Sequence, residues 1–193
     1  MVTMEQRLRE ALSQRQKRCI ISANHVTSAV LVPIYYKQGQ YYILFTKRTD
    51  RVKEHKGQIS FPGGARGEGD RTLIDTALRE CAEEIGLVPS EVKVFGELDD
   101  ALTETSNYII SPFVALIPYP YQFKVDGWEV EEIIEAPILV LLDKDLRQQT
   151  RVIDIDGQAV TSYFYHYQGK VIWGATANIL HQFLDIFARA TEG

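Results

Sequence analysis

A helix with two incompatible faces constrains this chain more than any other feature. Residues 72–85 carry a helical pattern that follows a Phe61-Pro62-Gly63-Gly64 turn, has Asp70 or Thr72 available as a cap, and stops at Gly86 and Pro89. At about 100° per residue, Ile74, Leu78, Cys81 and Ile85 form one apolar stripe, while Glu80, Glu83 and Glu84 share a separate arc of about 100°. Such a helix packs one side on a core and keeps a compact carboxylate cluster on another. A solvated acidic face is the ordinary meaning of that cluster, because like charges at these spacings cost only about 0.2–0.5 kcal/mol per pair. Its neighbours argue for more: Arg79 stands directly before the first glutamate, and the glycine turn lies upstream. Hard divalent cations take oxygen ligands, and Mg²⁺ keeps waters and substrate phosphates beside one or two carboxylates. A turn without side chains, Gly63-Gly64, lets a backbone carbonyl come close enough to join them.

The rest of the pattern predicts strands around that helix. Residues 28–36 and 41–47 are β-branched and aromatic runs joined by Lys37-Gln38-Gly39-Gln40, which reads as a hairpin. Further strands are expected at 92–98, 108–117, 130–134, 151–155 and 162–167, and a last helix at 175–189 with Ile179, Phe183, Ile186 and Phe187 at helical spacing. Strands mixed with helices imply an α/β layered domain. No repeat or low-complexity linker divides it, so residues 1–22 are expected as an amphipathic helix, Leu8, Ala11 and Leu12 inward, packed on a single domain of residues 23–193.

Composition excludes several classes. The net charge of −5, from 21 basic and 26 acidic residues, and a pI near 5.4 argue against a broadly basic nucleic-acid binder. Two cysteines, Cys19 and Cys81, make no disulfide framework or zinc pattern, and point to a reducing, cytoplasmic setting. The apolar run at 136–142 is too short for a membrane span, and Glu5 and Glu10 interrupt the N-terminal basic residues, unlike a transit peptide. His25, His55, His166 and His181 lack metal-ligand spacing, and no nucleophile elbow or Walker loop is present.

Residues 64–87 resemble the Nudix box: Gly64, an acid at Asp70, then Arg79-Glu80, an apolar residue, any residue, Glu83-Glu84, any residue, Gly86 and Leu87. The acid is Asp rather than Glu and the spacer to Arg79 is longer by one residue. Upstream, Leu44-Phe45-Thr46-Lys47-Arg48-Thr49 and His55-Lys56-Gly57-Gln58-Ile59-Ser60-Phe61-Pro62-Gly63-Gly64 are similar to the extra motif of the coenzyme A pyrophosphatase branch. Trp173-Gly174-Ala175-Thr176-Ala177 is similar to that branch too. Lys53 departs from it, since Arg is usual there and Lys lacks the planar fork that grips phosphate bidentately; Gly67 stands where an acid is common.

The resemblance implies a Nudix α/β/α sandwich with a mixed β-sheet. It implies metal-dependent hydrolysis of the diphosphate of coenzyme A or acyl-coenzyme A to 4′-phosphopantetheine, or its acyl derivative, and adenosine 3′,5′-bisphosphate. Another nucleoside diphosphate derivative, such as ADP-ribose or a dinucleotide, is the alternative, and a non-catalytic Nudix-fold binding protein is a further one. Glu80, Glu83 and Glu84 with the Gly64 or Gly63 carbonyl are the expected ligands of Mg²⁺ or Mn²⁺, with Arg79 orienting the glutamates. Glu129 is the first choice for general base, with Glu131 and Glu132 as alternatives. Lys47, Arg48, Arg51 and Lys53, with His55 and Lys56, form a basic patch that either receives substrate phosphates or is an exposed loop kept soluble by its charge. The partner expected is a small phosphorylated molecule, without nucleic acid or membrane, and a homodimer is left open.

Overall fold

The computed structural model describes residues 2–52, 55–103, 106–153 and 159–192. Its main sheet is built on β1 (Val26–Lys37), which forms the expected antiparallel hairpin with β2 (Gln40–Arg48), from Ile34↔Ile43 to Lys37↔Gln40. Two short strands follow, β3 (Ile59–Ser60) against β2 and β4 (Gly63–Ala65) against β1. Then come α2 (Leu73–Ile85), β5 (Lys93–Glu97), β6 (Ala101–Leu102), β7 (Tyr108–Leu116) and β8 (Val130–Pro137). β7 runs parallel to β1 while the other pairs are antiparallel, so the eight-stranded sheet is mixed, with the path β3-β2-β1-β7-β5. A separate sheet of β9 (Arg147–Ile153), β10 (Ala159–Tyr167) and β11 (Lys170–Ile172) follows.

Two-residue alternation along the central strands makes the layers. Ala29, Leu31 and Tyr35 of β1 and Leu44 of β2 pack with Ala77, Cys81 and Ile85 of α2 (Leu73–Ile85) on one face. Val30, Val32 and Ile34 of β1 and Ile43 and Phe45 of β2 face the opposite way, onto α1 (Met4–Ser13) through Leu8 and Leu12, the one-turn α3 (Ile138–Leu141), and α4 (Gly174–Glu192) through Leu180, Phe183 and Phe187. Both faces of β1 are therefore covered, and its central residues read as one apolar run.

Helix ends follow local chemistry. Thr72, not Asp70, caps α2: its Oγ1 accepts from Asp75 N at 3.4 Å while Asp75 Oδ2 accepts from Thr72 N at 2.9 Å. Asp70 is engaged elsewhere, on Arg79. Thr3 and Gln6 cap α1 the same way. The basic residues after α1 are tied to the β5–β6 turn by Arg15–Asp99 (2.8 Å), Arg18–Asp99 (2.8 Å) and Lys17–Asp100 (2.9 Å).

Several boundaries move. β8 runs to Pro137 and the apolar run beyond it turns into α3, whose Ile138 and Leu141 bury in the same core while Leu139 and Val140 stay exposed. The strand expected at 151–155 begins at Arg147, and its residues beyond 153 lie outside the described residues. α4 extends at both ends of the expected 175–189. No helix among the described residues is long and apolar enough to cross a membrane.

Candidate active site

The Gly63-Gly64 turn touches the glutamate face of α2. Gly63 has φ +151°, and a Cβ there would stand 2.2 Å from the Ala29 carbonyl oxygen. A Cβ on Gly64 would stand 2.6 Å from a Glu80 carboxylate oxygen. Only glycines let the backbone run between β1 and the carboxylates. Gly63 N donates to Glu84 Oε2 at 3.2 Å.

Glu84 is not on a solvated arc: it is 4 % exposed. The wheel places it at the margin of the apolar stripe, and β4 with Arg48 closes over it. Burial pushes its carboxyl up to about 8, only partly offset by Arg48 and the Gly63 N–H, and reinforced by Glu80 and Glu129. Burial also raises Glu80, against the pull of Arg79. Glu83 differs from both, being exposed and paired with Arg79 Nη1 at 3.1 Å.

Arg79 ties the helix to the loop before it. Its guanidinium donates to Asp70 Oδ1 and Oδ2, each at 3.1 Å, and to the Ala65 carbonyl at 3.1 Å, and pairs with Glu80 at 2.8 Å. The Arg79 guanidinium and the Gly67 N–H hold Asp70 well below the usual carboxylate range.

Glu129 and Arg48 form the facing wall. The β2–β8 ladder carries a bulge: Lys47 pairs with Glu132 but Arg48 with Val130, leaving Glu131 unpaired. Past it, Thr49 N donates to the Glu129 carbonyl at 2.8 Å and Thr49 Oγ1 to the Trp128 carbonyl at 2.6 Å. Asp126 anchors the turn: its carboxylate accepts from Trp128 N (3.2 Å), Glu129 N (3.0 Å) and Val130 N (2.9 Å), and its own N–H donates to the Glu84 carbonyl at 3.0 Å. Arg48 thus reaches Glu129 Oε2 at 3.2 Å and Glu84 Oε1 at 3.8 Å, with its Nε buried and unpartnered among the described residues.

The resulting cleft, about 410 Å³, is lined by Gly63, Gly64, Glu80, Arg48 and Glu129, by His55, and by the segment Trp173 to Thr176 at the start of α4. His55, at φ +57°, is held by Gln58 Oε1 at 2.8 Å and Ser106 Oγ at 2.9 Å.

The basic patch does not converge on this cleft. Side chains on a strand alternate, so Lys47 points away from Arg48 and pairs with Glu131. Arg51 donates to the Gly127 carbonyl at 3.3 Å outside the cleft, and Lys56 is exposed. Lys53 lies outside the described residues. Of the three base candidates, Glu131 is taken by Lys47 and Glu132 by Lys170 at 3.3 Å, so Glu129 alone lines the cleft. Sequence reasoning missed the bulge and the anchoring by Asp126, for which the Asp126-Gly127 turn signal was a hint, and it singled out Trp173 to Ala177 by resemblance without placing that segment in the cleft.

The donor set fits a hard divalent cation. Two carboxylates crowd a glycine backbone with too little positive charge to balance them, and one is nearly solvent-free. Among the described residues no three acidic, His or Cys side chains converge, because Glu83 is turned to Arg79. Two carboxylates with water and substrate oxygens still suit Mg²⁺.

Comparison with known proteins gives the family and the fold. A family model described as NUDIX domain matches residues 25–153. The chain is 36% identical over 84% of its length to an uncharacterized Nudix hydrolase NudL of Photorhabdus laumondii, covering 85% of that protein. Its fold is similar to a MutT/nudix family protein from Enterococcus faecalis, with TM-score 0.57 and 13% identity over 93% of this chain and 66% of that one. It is also similar to the NUDIX domain of Shewanella oneidensis NrtR, solved with ADP ribose, with TM-score 0.50 and 20% identity over 69% of this chain and 84% of that one.

Proposed function

Because the chain belongs to the Nudix hydrolases, which act on phosphorus anhydrides, we propose that it cleaves the diphosphate of coenzyme A or acyl-coenzyme A with Mg²⁺ or Mn²⁺. The products are 4′-phosphopantetheine, or its acyl derivative, and adenosine 3′,5′-bisphosphate. The observation that carries the catalytic half is the under-compensated pair of buried Glu84 and half-buried Glu80 against Gly63-Gly64. The substrate half rests on the resemblance at residues 44–64 to the coenzyme A pyrophosphatase branch.

In this reading Glu80, Glu84 and the Gly64 carbonyl would hold the cation, and Glu83, paired with Arg79 in the structure, is the further carboxylate on the same helix that would be available to it. When bound, the cation neutralises charge on the diphosphate and makes a water more acidic. Glu129 receives the proton of the attacking water on a carboxylate oxygen, from the wall opposite Glu80. Arg48 keeps Glu84 and Glu129 in register and offers its remaining N–H donors to the diphosphate. Arg79 positions Glu80 and Glu83 without touching substrate. Lys53 remains a candidate phosphate partner, whereas Lys47, paired with Glu131, and Arg51, on the Gly127 carbonyl, do not line the cleft. The described residues act as one catalytic domain, with α1 (Met4–Ser13) packed on it and residues 14–22, expected as part of that helix, running on without helical structure.

Asp126→Ala tests the positioning of Glu129. It frees the N–H groups that hold the turn, so kcat is expected to fall by roughly 10–100-fold while KM changes little. Wild-type kcat would show that Asp126 does not position Glu129 for the reaction.

Substrate is decided by product analysis in ¹⁸O-labelled water with coenzyme A, acetyl-coenzyme A, ADP-ribose and a dinucleotide, each with Mg²⁺ and Mn²⁺. The proposal expects fastest turnover of a coenzyme A form and a label on a single phosphate product. Faster turnover of ADP-ribose than of coenzyme A would move the enzyme to the alternative substrate class. No turnover of any of them would favour a binding role.

A further inference from the structure

The C-terminal wall of the cleft has no part in holding a cation or moving a proton. Residues there alternate: Val171 is exposed, Ile172 is buried, and Trp173 points out again before Gly174 turns the chain into α4. Trp173 lines the cleft with 37 % of its surface exposed, and no stacked aromatic pair among the described residues includes it. An indole in that state has apolar surface left uncovered beside a polar site and no aromatic partner of its own.

Charge is distributed unevenly around it. Arg48 contacts Glu129 and Glu84, and Glu80 lies against Gly64, so the ionisable groups on the cation side touch one another or the same turn. Residues 173–176 carry no ionisable side chain; of the other lining residues Ile110, Thr103 and Ser106 are uncharged, and the one imidazole there, His55, is held by Gln58 and Ser106. A nucleoside diphosphate derivative divides the same way, into a polyanion and a planar, uncharged base.

We propose that Trp173 is the stacking platform for the base of the substrate's nucleotide half, and so a specificity-determining residue; this rests on the nucleoside diphosphate reading above. Stacking tolerates any base, because every base has a π-face. The wall therefore selects substrates that carry a base over those that do not, and fixes which end of the diphosphate faces α4.

Two tryptophans are present, and Trp128, 64 % exposed, does not line the cleft. In a Trp128→Phe background Trp173 is the one remaining indole, and its emission is titrated with AMP and with ribose 5-phosphate, which share sugar and phosphate. Saturable quenching by AMP and none by ribose 5-phosphate is expected; equal responses overturn the proposal. Kinetics give a second readout. Trp173→Leu is expected to raise KM for a nucleoside diphosphate substrate about 10-fold with kcat nearly unchanged, and Trp173→Phe to restore most of it. A KM in Trp173→Leu within about twofold of wild type, or no rescue by Phe, overturns it as well. Should the wild type hydrolyse no such substrate, the proposed function fails while the AMP titration still decides the stacking.

Discussion

Replacing Glu84 by Gln is expected to lower metal-dependent turnover by at least about 100–1,000-fold and, in the metal-free protein, to raise the melting temperature at pH 8. The two effects share one cause. Burial lifts the Glu84 carboxyl from its ordinary value of 4.5 to about 8 in the folded chain. The folded state then binds a proton that the unfolded state has released, so metal-free stability is full below about pH 4.5 and is lost as pH rises toward 8. Over that window the loss is on the order of a few kcal/mol. At roughly 2–4 °C per kcal/mol for a chain of this size, Glu84→Gln should melt roughly 5–10 °C above wild type at pH 8 and level with it below pH 4. Gln keeps an oxygen for the Gly63 N–H, so the turn is retained. Adding Mg²⁺ should stabilise the wild type and leave the variant unmoved. Thermal scans across pH with and without metal measure all of this; a variant that melts below wild type at pH 8, or keeps wild-type turnover, would refute the assignment of Glu84.

The second large effect separates two adjacent glycines. Gly63→Ala is expected to cost about 3–4 kcal/mol or to prevent folding, since its Cβ meets the Ala29 carbonyl oxygen at 2.2 Å and Val30 Cα at 2.6 Å, both backbone atoms of the central strand. Gly64→Ala meets only the end of the Glu80 side chain, at 2.6 Å. That carboxylate can swing away, so melting should change little while turnover falls by about 100-fold. Circular dichroism and an activity assay on the two variants distinguish them. Equal loss of fold in both would mean that the Glu80 carboxylate cannot yield.

The elements legible in the sequence were those whose periodicity reports local burial. The 28–36 and 41–47 hairpin, the α2 stripe through Cys81 and Ile85, and the α4 spacing of Phe183 and Phe187 each depend on one face meeting one layer. The cation side of the site was legible because it is continuous in sequence, from Gly64 to Glu84. Arg48, Glu129 and the Trp173 segment were each singled out in the sequence, but not their meeting in one wall, which depends on strand pairing and a bulge that no local pattern encodes. Treating Lys47, Arg48 and Arg51 as one patch failed for the same reason: neighbours in a strand face opposite ways, and only pairing says which way is inward. The depth of Glu84 also escaped the helical wheel, which gives angle but not what lies above it.

β1 joins two hydrophobic clusters that otherwise sit on opposite sides of the sheet, Val30, Val32 and Ile34 serving one and Ala29, Leu31 and Tyr35 the other. Neither cluster can be dismantled while this strand stays paired, and neither survives its withdrawal. The two halves of the interior are therefore thermodynamically one cooperative unit, and calorimetry should record a single transition whose van't Hoff and measured enthalpies agree.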